Sequence, residues 1–200
     1  TMADYLAGER SEQERADAER FGPKSEVVQL KQPNGKPFVG FRSVGKNWAT
    51  VFAIVPSDEH GPLIPLVGEW KHGSESLSLC MPSGVPTKAE LAGDDPMGAC
   101  AKREFEEETG MRLASITPLS PNGIPLSGRQ SSTRYFPYLG HVAMPIQPGP
   151  SKLDDTEYLA LVLMPVEDWF ELMSRGKVYE DCAASCTLLA GLNLGLLRAS

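Results

Sequence analysis

Three glutamates at positions 104, 107 and 108 stand in the run Arg103-Glu104-Phe105-Glu106-Glu107-Glu108-Thr109-Gly110-Met111. On a helix that turns by about 100° per residue, these three side chains project within one third of the circumference. Like charges grouped on one face repel, so helix propensity gives no reason to place them there. A hard divalent cation supplies the missing attraction. Magnesium takes oxygen ligands, keeps several waters, and is shared between a few carboxylates and substrate phosphates. Arg103 can brace a carboxylate through a forked hydrogen-bond pair. The competing reading of a Glu-rich run is a solvated acidic helix face. Its context weighs against that reading: an Arg directly before it, a Gly two residues after the last Glu, and the turn Pro82-Ser83-Gly84 upstream.

The elements that must position this face can be read around it. Asp95-Pro96 opens the helix, since Asp is a good N-cap and Pro is favoured at the first helical position, and Gly110 is the matching stop. Ala101 and Phe105 fall on a neighbouring face and are expected to pack on a sheet. Strand-like runs are expected at Ser25–Leu30, Phe38–Val44, Trp48–Val55, Leu63–Trp70 and Leu77–Met81. Further runs lie at Leu113–Leu119, Tyr135–Met144 and Tyr158–Met164. Residues 85 to 94 read as loop. Val166–Ser174 and Asp181–Leu197 read as helices, and residues 3 to 20 as a charged helix with little apolar face. Strands and helices alternate without a regular βαβ rhythm, which points to an α/β or α+β layered fold with a mixed sheet.

Composition narrows the function classes. The chain has 200 residues, enough for one self-sufficient core, and a formal net charge of −7. An acidic balance argues against nucleic-acid binding, which needs a basic stripe. A bound divalent cation can still draw an anionic small substrate. The four cysteines form no C-x-x-C pair and the histidines number three, so a zinc site is not expected. The cysteines read as structural thiols, with Cys182 and Cys186 on one helix face. No apolar run follows basic residues at the N-terminus and none reaches membrane-spanning length. The expected location is the cytoplasm.

The run from Arg103 to Met111 resembles the second half of the Nudix box at every specified position. That box reads Gly, five residues, Glu, seven residues, then Arg-Glu-apolar-any-Glu-Glu-any-Gly-apolar. The first half departs from it. Counting back from Arg103 puts Asp95 at the first Glu and Ala89 at the Gly. The plausible Gly is Gly84, with Glu90 as the alternative first Glu, which makes the loop longer by five residues. Upstream, Gly68-Glu69-Trp70-Lys71 and Cys80-Met81-Pro82-Ser83-Gly84 resemble the steps found in members that hydrolyse ADP-ribose and other nucleotide sugars. Lys71 stands where an Arg is usual and Cys80 where an acidic residue is usual. Asp154-Asp155-Thr156-Glu157-Tyr158 resembles the acidic loop that carries the catalytic base.

The resemblance implies an α/β/α sandwich with a mixed β-sheet. It also implies a hydrolase that uses Mg2+ or Mn2+ to cut the pyrophosphate of a nucleoside diphosphate joined to a sugar or similar group. Glu104, Glu107, Glu108 and the Ser83 backbone oxygen would hold the metal. Glu157, Glu107 and Arg103 would serve catalysis, with Asp154 and Asp155 as fallback bases. Lys71, Arg129 and Arg134 are candidate phosphate contacts, and Trp48 or Trp70 a stacking platform for a base. Core packing or surface solvation is the alternative for each of these. A homodimer is implied, with residues 1–44 as the dimerising segment and residues 45–200 as the hydrolase domain. The alternatives are a module that binds a nucleotide metabolite without cutting it, or a hydrolase of dinucleoside polyphosphates, coenzyme A esters or nucleoside triphosphates.

Overall fold

The computed structural model describes residues 12, 24–71, 74–144, 159–178 and 180–197. The expected helix over residues 3 to 20 and the acidic loop from Asp154 to Glu157 lie outside the described residues. The chain divides into two compact units: Thr1–Lys46 with Pro125–Thr133, and Asn47–Ile124 with Arg134–Ser200.

The smaller unit is built on one hairpin. β1 (Lys24–Lys31) pairs antiparallel with β2 (Pro37–Val44), with Val27 opposite Phe41 and Leu30 opposite Phe38. Gly35 makes the turn possible: its φ of 82° is a left-handed conformation that costs a glycine little. The free edge of β2 is partly paired, because Ser43 N–H donates to Gln130 O at 2.7 Å and Ser132 N–H to Ser43 O at 3.0 Å.

The larger unit holds β3 (Trp48–Ile54), β4 (Leu63–Lys71), β5 (Ser76–Cys80), β6 (Ser83–Gly84) and α1 (Pro96–Thr109). Then come β7 (Leu113–Pro118), β8 (Ile124–Pro125) at the unit boundary, β9 (Arg134–Val142), β10 (Leu159–Pro165), α2 (Val166–Ser174) and α3 (Asp181–Asn193). One path of strands runs β6-β3-β9-β7, with β3 and β9 parallel. A second, antiparallel path runs β10-β4-β5, and a bridge between Val55 and Leu63 ties β3 to β4.

Strand alternation builds two cores from one strand. Ala49, Val51 and Ala53 of β3 pack with Cys100, Ala101 and Phe105 of α1. From the opposite face, Phe52 packs with Ile64, Leu66, Trp169, Ala183 and Cys186, which brings in α2 and α3. Helices therefore cover both faces of the sheet, as the expected sandwich requires. Trp169 is fully buried, and its indole N–H donates to Thr187 Oγ1 at 2.9 Å, so the burial leaves no orphaned donor. The four cysteines are free thiols. Among the described residues no helix is long and apolar enough to cross a membrane.

Most strand ends shift by one residue from the sequence reading, and three differences are larger or new. α3 ends at Asn193 rather than Leu197, because Gly195 (φ 70°) turns the chain and Leu197 N–H folds back onto Gly191 O. β9 begins at Arg134 and stops at Val142, two residues before Met144. Residues 85 to 94 include a 3-10 turn at Glu90–Ala92.

α1 begins as its cap residues dictate. The Asp95 carboxylate accepts from Gly98 N–H at 3.0 Å, Pro96 fills the first position, and Gly110 (φ 68°) closes the helix onto Glu106 O. Asp95→Ala should lower unfolding free energy in urea by about 1 kcal/mol, while Asp95→Asn, which keeps the acceptor, should lie within about 0.5 kcal/mol of the parent. A large loss in both would show that Asp95 does more than cap.

Candidate active site

The acidic face of α1 lies against the short strand β6. Gly84 allows the approach: a Cβ added there would fall 1.9 Å from Glu104 Oε1, so any side chain would displace that carboxylate. The Ser83 N–H donates to Glu108 Oε2 at 3.1 Å. The carbonyls of Gly84 and Val85 are taken up by α1 as well, by the Cys100 thiol at 3.2 Å and by Arg103 Nη2 at 3.1 Å. Of the expected group Glu104, Glu107, Glu108 and the Ser83 backbone oxygen, the structure brings Glu104 and Glu108 to the Ser83–Gly84 turn, where the hydrogen bond shown is from the Ser83 N–H.

Arg103 lies at its centre. Nη1 donates to Glu107 Oε2 at 2.7 Å, and Nη2 pairs with Glu104 Oε1 at 2.9 Å. The same guanidinium forks onto Glu90, with Nε to Oε1 at 2.9 Å and Nη2 to Oε2 at 3.2 Å. One cation serves three carboxylates, which with burial outweighed holds its pKa above the ordinary value. Glu90 is in turn fixed from behind: Thr87 N–H donates to Oε2 at 2.6 Å, and Glu90 N–H donates to Thr87 Oγ1 at 3.2 Å. This reciprocal pair is a capping box at the start of the 3-10 turn. Of the two acidic residues that the spacing offered, the structure places Glu90, not Asp95, against Arg103. Glu90, separated from Gly84 by five residues, meets Arg103, and Asp95 is the helix cap; the extra residues are absorbed by the 3-10 turn and the cap.

A second cluster adjoins the first. The Lys71 ammonium donates to Glu69 Oε2 at 2.7 Å and lies 4.0 Å from Glu180 Oε1. Burial alone would lower the Lys71 pKa, but these carboxylates raise it, so the ammonium stays charged. The Cys80 thiol faces Val67 O at 3.4 Å and Glu69 Oε2 at 3.7 Å. Burial pushes its pKa up to about 12; Lys71 opposes that shift, and Glu69, Glu108 and Glu180 add to it. Cys80 is therefore a neutral thiol, and its Coulombic contact with Glu108 links the two clusters. The pairing of Glu69 with Lys71 was accessible to a period-two reading of β4. The approach of Glu180, far along the chain, was not.

The other predicted residues fall elsewhere. Trp48 stacks on Tyr135, its neighbour in the parallel pairing, with ring centroids 5.9 Å apart. Trp70 is half exposed at 52%, and by strand alternation it points away from Glu69 and Lys71. Arg134 donates to the carbonyls of Asn122 and Gly123, both at 3.1 Å. Arg129 belongs to the smaller unit, beside Phe38, Val39 and Phe41. Glu157, Asp154 and Asp155 lie outside the described residues.

The donors Glu104, Glu107, Glu108 and the Ser83 backbone are all hard oxygens, which suits Mg2+ or Mn2+. Among the described residues no three Asp, Glu, His or Cys side chains are grouped so as to hold a metal ion. Arg103 accounts for that, since it holds Glu104 and Glu107 as its own partners. The donor set fits the cation in chemistry, and the side chains are arranged for charge pairing.

The fold that carries this site is found in a known enzyme. The crystal structure of an ADP compounds hydrolase matches the chain with a TM-score of 0.66 at 21% identity, over 96% of this chain and 92% of that chain. At that identity the likeness is one of fold, and the fold is a Nudix-like α/β/α sandwich. No family model and no curated protein matches the chain.

The Glu90 contacts carry a pH signature. Burial raises its pKa, but the Arg103 and Thr87 hydrogen bonds lower it more, so the folded value lies below the ordinary 4.5. A depressed carboxylate pKa stabilises the fold above the unfolded value, and that contribution is lost as pH falls through the folded value. The thermal midpoint should therefore fall on acidification below about pH 4.5, and Glu90→Gln should flatten that slope. Identical slopes for parent and variant would remove Glu90 as a contributor.

Proposed function

We propose that this protein is a metal-dependent hydrolase of Nudix type. It would cleave the pyrophosphate of a nucleoside diphosphate joined to a sugar or similar group, of which ADP-ribose is the reference substrate. The observation that carries the reading is the seating of Glu104 and Glu108 against the Ser83–Gly84 turn, on a fold shared with an ADP compounds hydrolase.

A pyrophosphate diester is slow to hydrolyse because its oxygens carry negative charge that repels a nucleophile. Bound Mg2+ or Mn2+ neutralises that charge and makes coordinated water more acidic. Glu104, Glu107, Glu108 and the Ser83 carbonyl are the residues that would hold it. Arg103 orients Glu107 and Glu104 through the pairs described above. Lys71 presents a permanent positive charge to a phosphate oxygen, without the fork that an Arg would offer. Glu157 takes the proton from the attacking water, with Asp154 and Asp155 as alternatives. The products are a nucleoside monophosphate and a sugar phosphate.

Incubation with Mg2+ and ADP-ribose should release AMP, detected by chromatography. Glu108→Gln and Glu157→Gln should each lower kcat by roughly 100-fold or more, Glu157→Gln without loss of metal binding. Wild-type turnover in Glu157→Gln would remove it as the base. Absence of a monophosphate product across a panel of nucleotide sugars would sink the reading.

We also assign the protein a homodimeric state, with the β1–β2 hairpin in the interface. An isolated two-stranded ribbon is marginal in water. On one face of this hairpin Val27, Val39 and Phe41 are 59%, 60% and 73% exposed, and Leu30 and Phe38 are half exposed on the other. A contiguous apolar surface of this kind marks an interaction site. Light scattering should give the mass of a dimer, and Phe41→Arg should shift it toward the monomer. A monomeric parent at micromolar concentration overturns this assignment and leaves the hydrolase reading intact.

A further inference from the structure

We propose that Lys71, Glu69, Glu180 and Ser78 form a subsite for a phosphorylated sugar, in which Lys71 takes the phosphate and the two carboxylates take sugar hydroxyls. The inference deepens the nucleotide-sugar reading above and rests on it for the phosphate at Lys71.

The pairing of β4 with β5 puts three of these groups on one face. Lys71 lies opposite Ser76, Glu69 opposite Ser78, and Val67 opposite Cys80. Residues directly opposed in an antiparallel pair project to the same side, so Ser78 stands on the Lys71 side of the sheet. The Cys80 thiol meets Glu69 Oε2 at 3.7 Å across that same face. Glu180 comes from the N-cap position of α3, yet its side chain caps nothing. It lies instead 4.0 Å from the Lys71 ammonium and 3.8 Å from the Cys182 thiol.

Two of the groups have bonding capacity to spare. Lys71 gives one N–H to Glu69, which leaves two without an acceptor among the described residues. The Ser78 hydroxyl is buried, with the residue 3% exposed, and has no hydrogen-bond partner. A buried hydroxyl left unpaired costs stability, so its retention on this face points to a partner from outside the chain. The side chains of Lys71, Glu69 and Glu180 keep 28%, 36% and 29% of their surface exposed, so a solute can reach the cluster.

Charge decides what that solute is. Two carboxylates flank one ammonium, so the cluster is net negative. A polyphosphate offers acceptors almost alone and is repelled by both carboxylates. A sugar hydroxyl donates as well as accepts: it can give its proton to Glu69 or Glu180 and accept from Lys71 or Ser78. Lys71 can balance a single phosphate beside such hydroxyls. The face therefore fits a sugar phosphate and disfavours the additional phosphates of a nucleoside triphosphate or dinucleoside polyphosphate.

The test is calorimetric titration of the whole chain with ribose 5-phosphate and with inorganic tripolyphosphate, in EDTA and without turnover. The parent should bind ribose 5-phosphate at least tenfold more tightly, and Lys71→Gln should abolish that binding. Glu180→Gln should weaken ribose 5-phosphate by roughly tenfold, the value of a hydrogen bond to a charged group, and tighten tripolyphosphate. Ser78→Ala should weaken ribose 5-phosphate several-fold while its thermal midpoint stays level or rises, since the ligand-free fold loses no bond. Circular dichroism checks each fold; if Lys71→Gln does not fold, the other two variants carry the test. Equal binding of both probes by the parent, or no binding of ribose 5-phosphate, overturns the inference. So does parallel weakening of both probes by Glu180→Gln, or a lowered midpoint in Ser78→Ala, either of which marks a structural role. AMP release from ADP-ribose without selective ribose 5-phosphate binding sinks this inference alone. Selective binding with no monophosphate product from any nucleotide sugar sinks the hydrolase reading and leaves the subsite.

Discussion

The site depends on how few positive charges it contains. Glu90, Glu104 and Glu107 converge on a single guanidinium, and Glu108 lies beside them on a backbone N–H. The pair with Glu107 taken alone is partly exposed: Arg103 is 27% accessible and Glu107 34%, so screening limits it to about 1 kcal/mol or less. The value of these pairs is geometric. A planar fork admits few arrangements of three carboxylates, and that restriction aligns the acidic face of α1 with the β6 turn. Such an alignment needs a bare Cα at Gly84, because the Glu104 carboxylate occupies the space that a side chain would fill.

The rest of the larger unit exists to hold α1 in that register. Cys100, Ala101 and Phe105 bury the helix against β3, and Glu104 and Glu108 project from the same arc, between Cys100 and Ala101, toward the β6 turn. β3 is shared by both cores, and its other face carries Phe52 against Trp169 and α3. Movement of β3 would disturb both layers at once. The turn that receives Glu104 and Glu108 is itself tied to β3, through the Val51 N–H to Pro82 O bond and the pairing of Thr50 with Ser83. Strand, turn and helix therefore form a closed loop of contacts around the acidic face.

What the sequence made legible follows from local physics. Asp95, Pro96 and Gly110 each act within a turn or two, and α1 starts and stops where they stand. Val166–Ser174 and the strands on either side of the box follow from short-range patterning in the same way. The partner of Arg103 was harder to see, because the loop after Glu90 is longer than the usual spacing and a residue count lands on Asp95. Only the folded path of the 3-10 turn brings Glu90 back to the helix. Trp48 looked like a stacking platform for a ligand; its partner Tyr135 comes from the parallel pairing of β3 with β9, a register with no local signature. Glu180 reaches Lys71 for the same kind of reason, through tertiary packing at the start of α3.

The Lys71 cluster sets the charge around Cys80. A thiol with its pKa pushed up to about 12 carries no charge at neutral pH. The carboxylate beside it comes from the neighbouring strand, since Glu69 Oε2 reaches both the Cys80 sulfur and the Lys71 ammonium. Lys71 is not exhausted by that contact. An ammonium has three donors, Glu69 takes one in a short bond, and Glu180 at 4.0 Å is a Coulombic neighbour rather than a hydrogen-bond acceptor. Among the described residues two donors therefore remain without an acceptor. Glu69 holds the ammonium in place and charged while leaving it the capacity to bind an anion. An Arg at this position, braced by both carboxylates, would fill more of its fork internally than the lysine does.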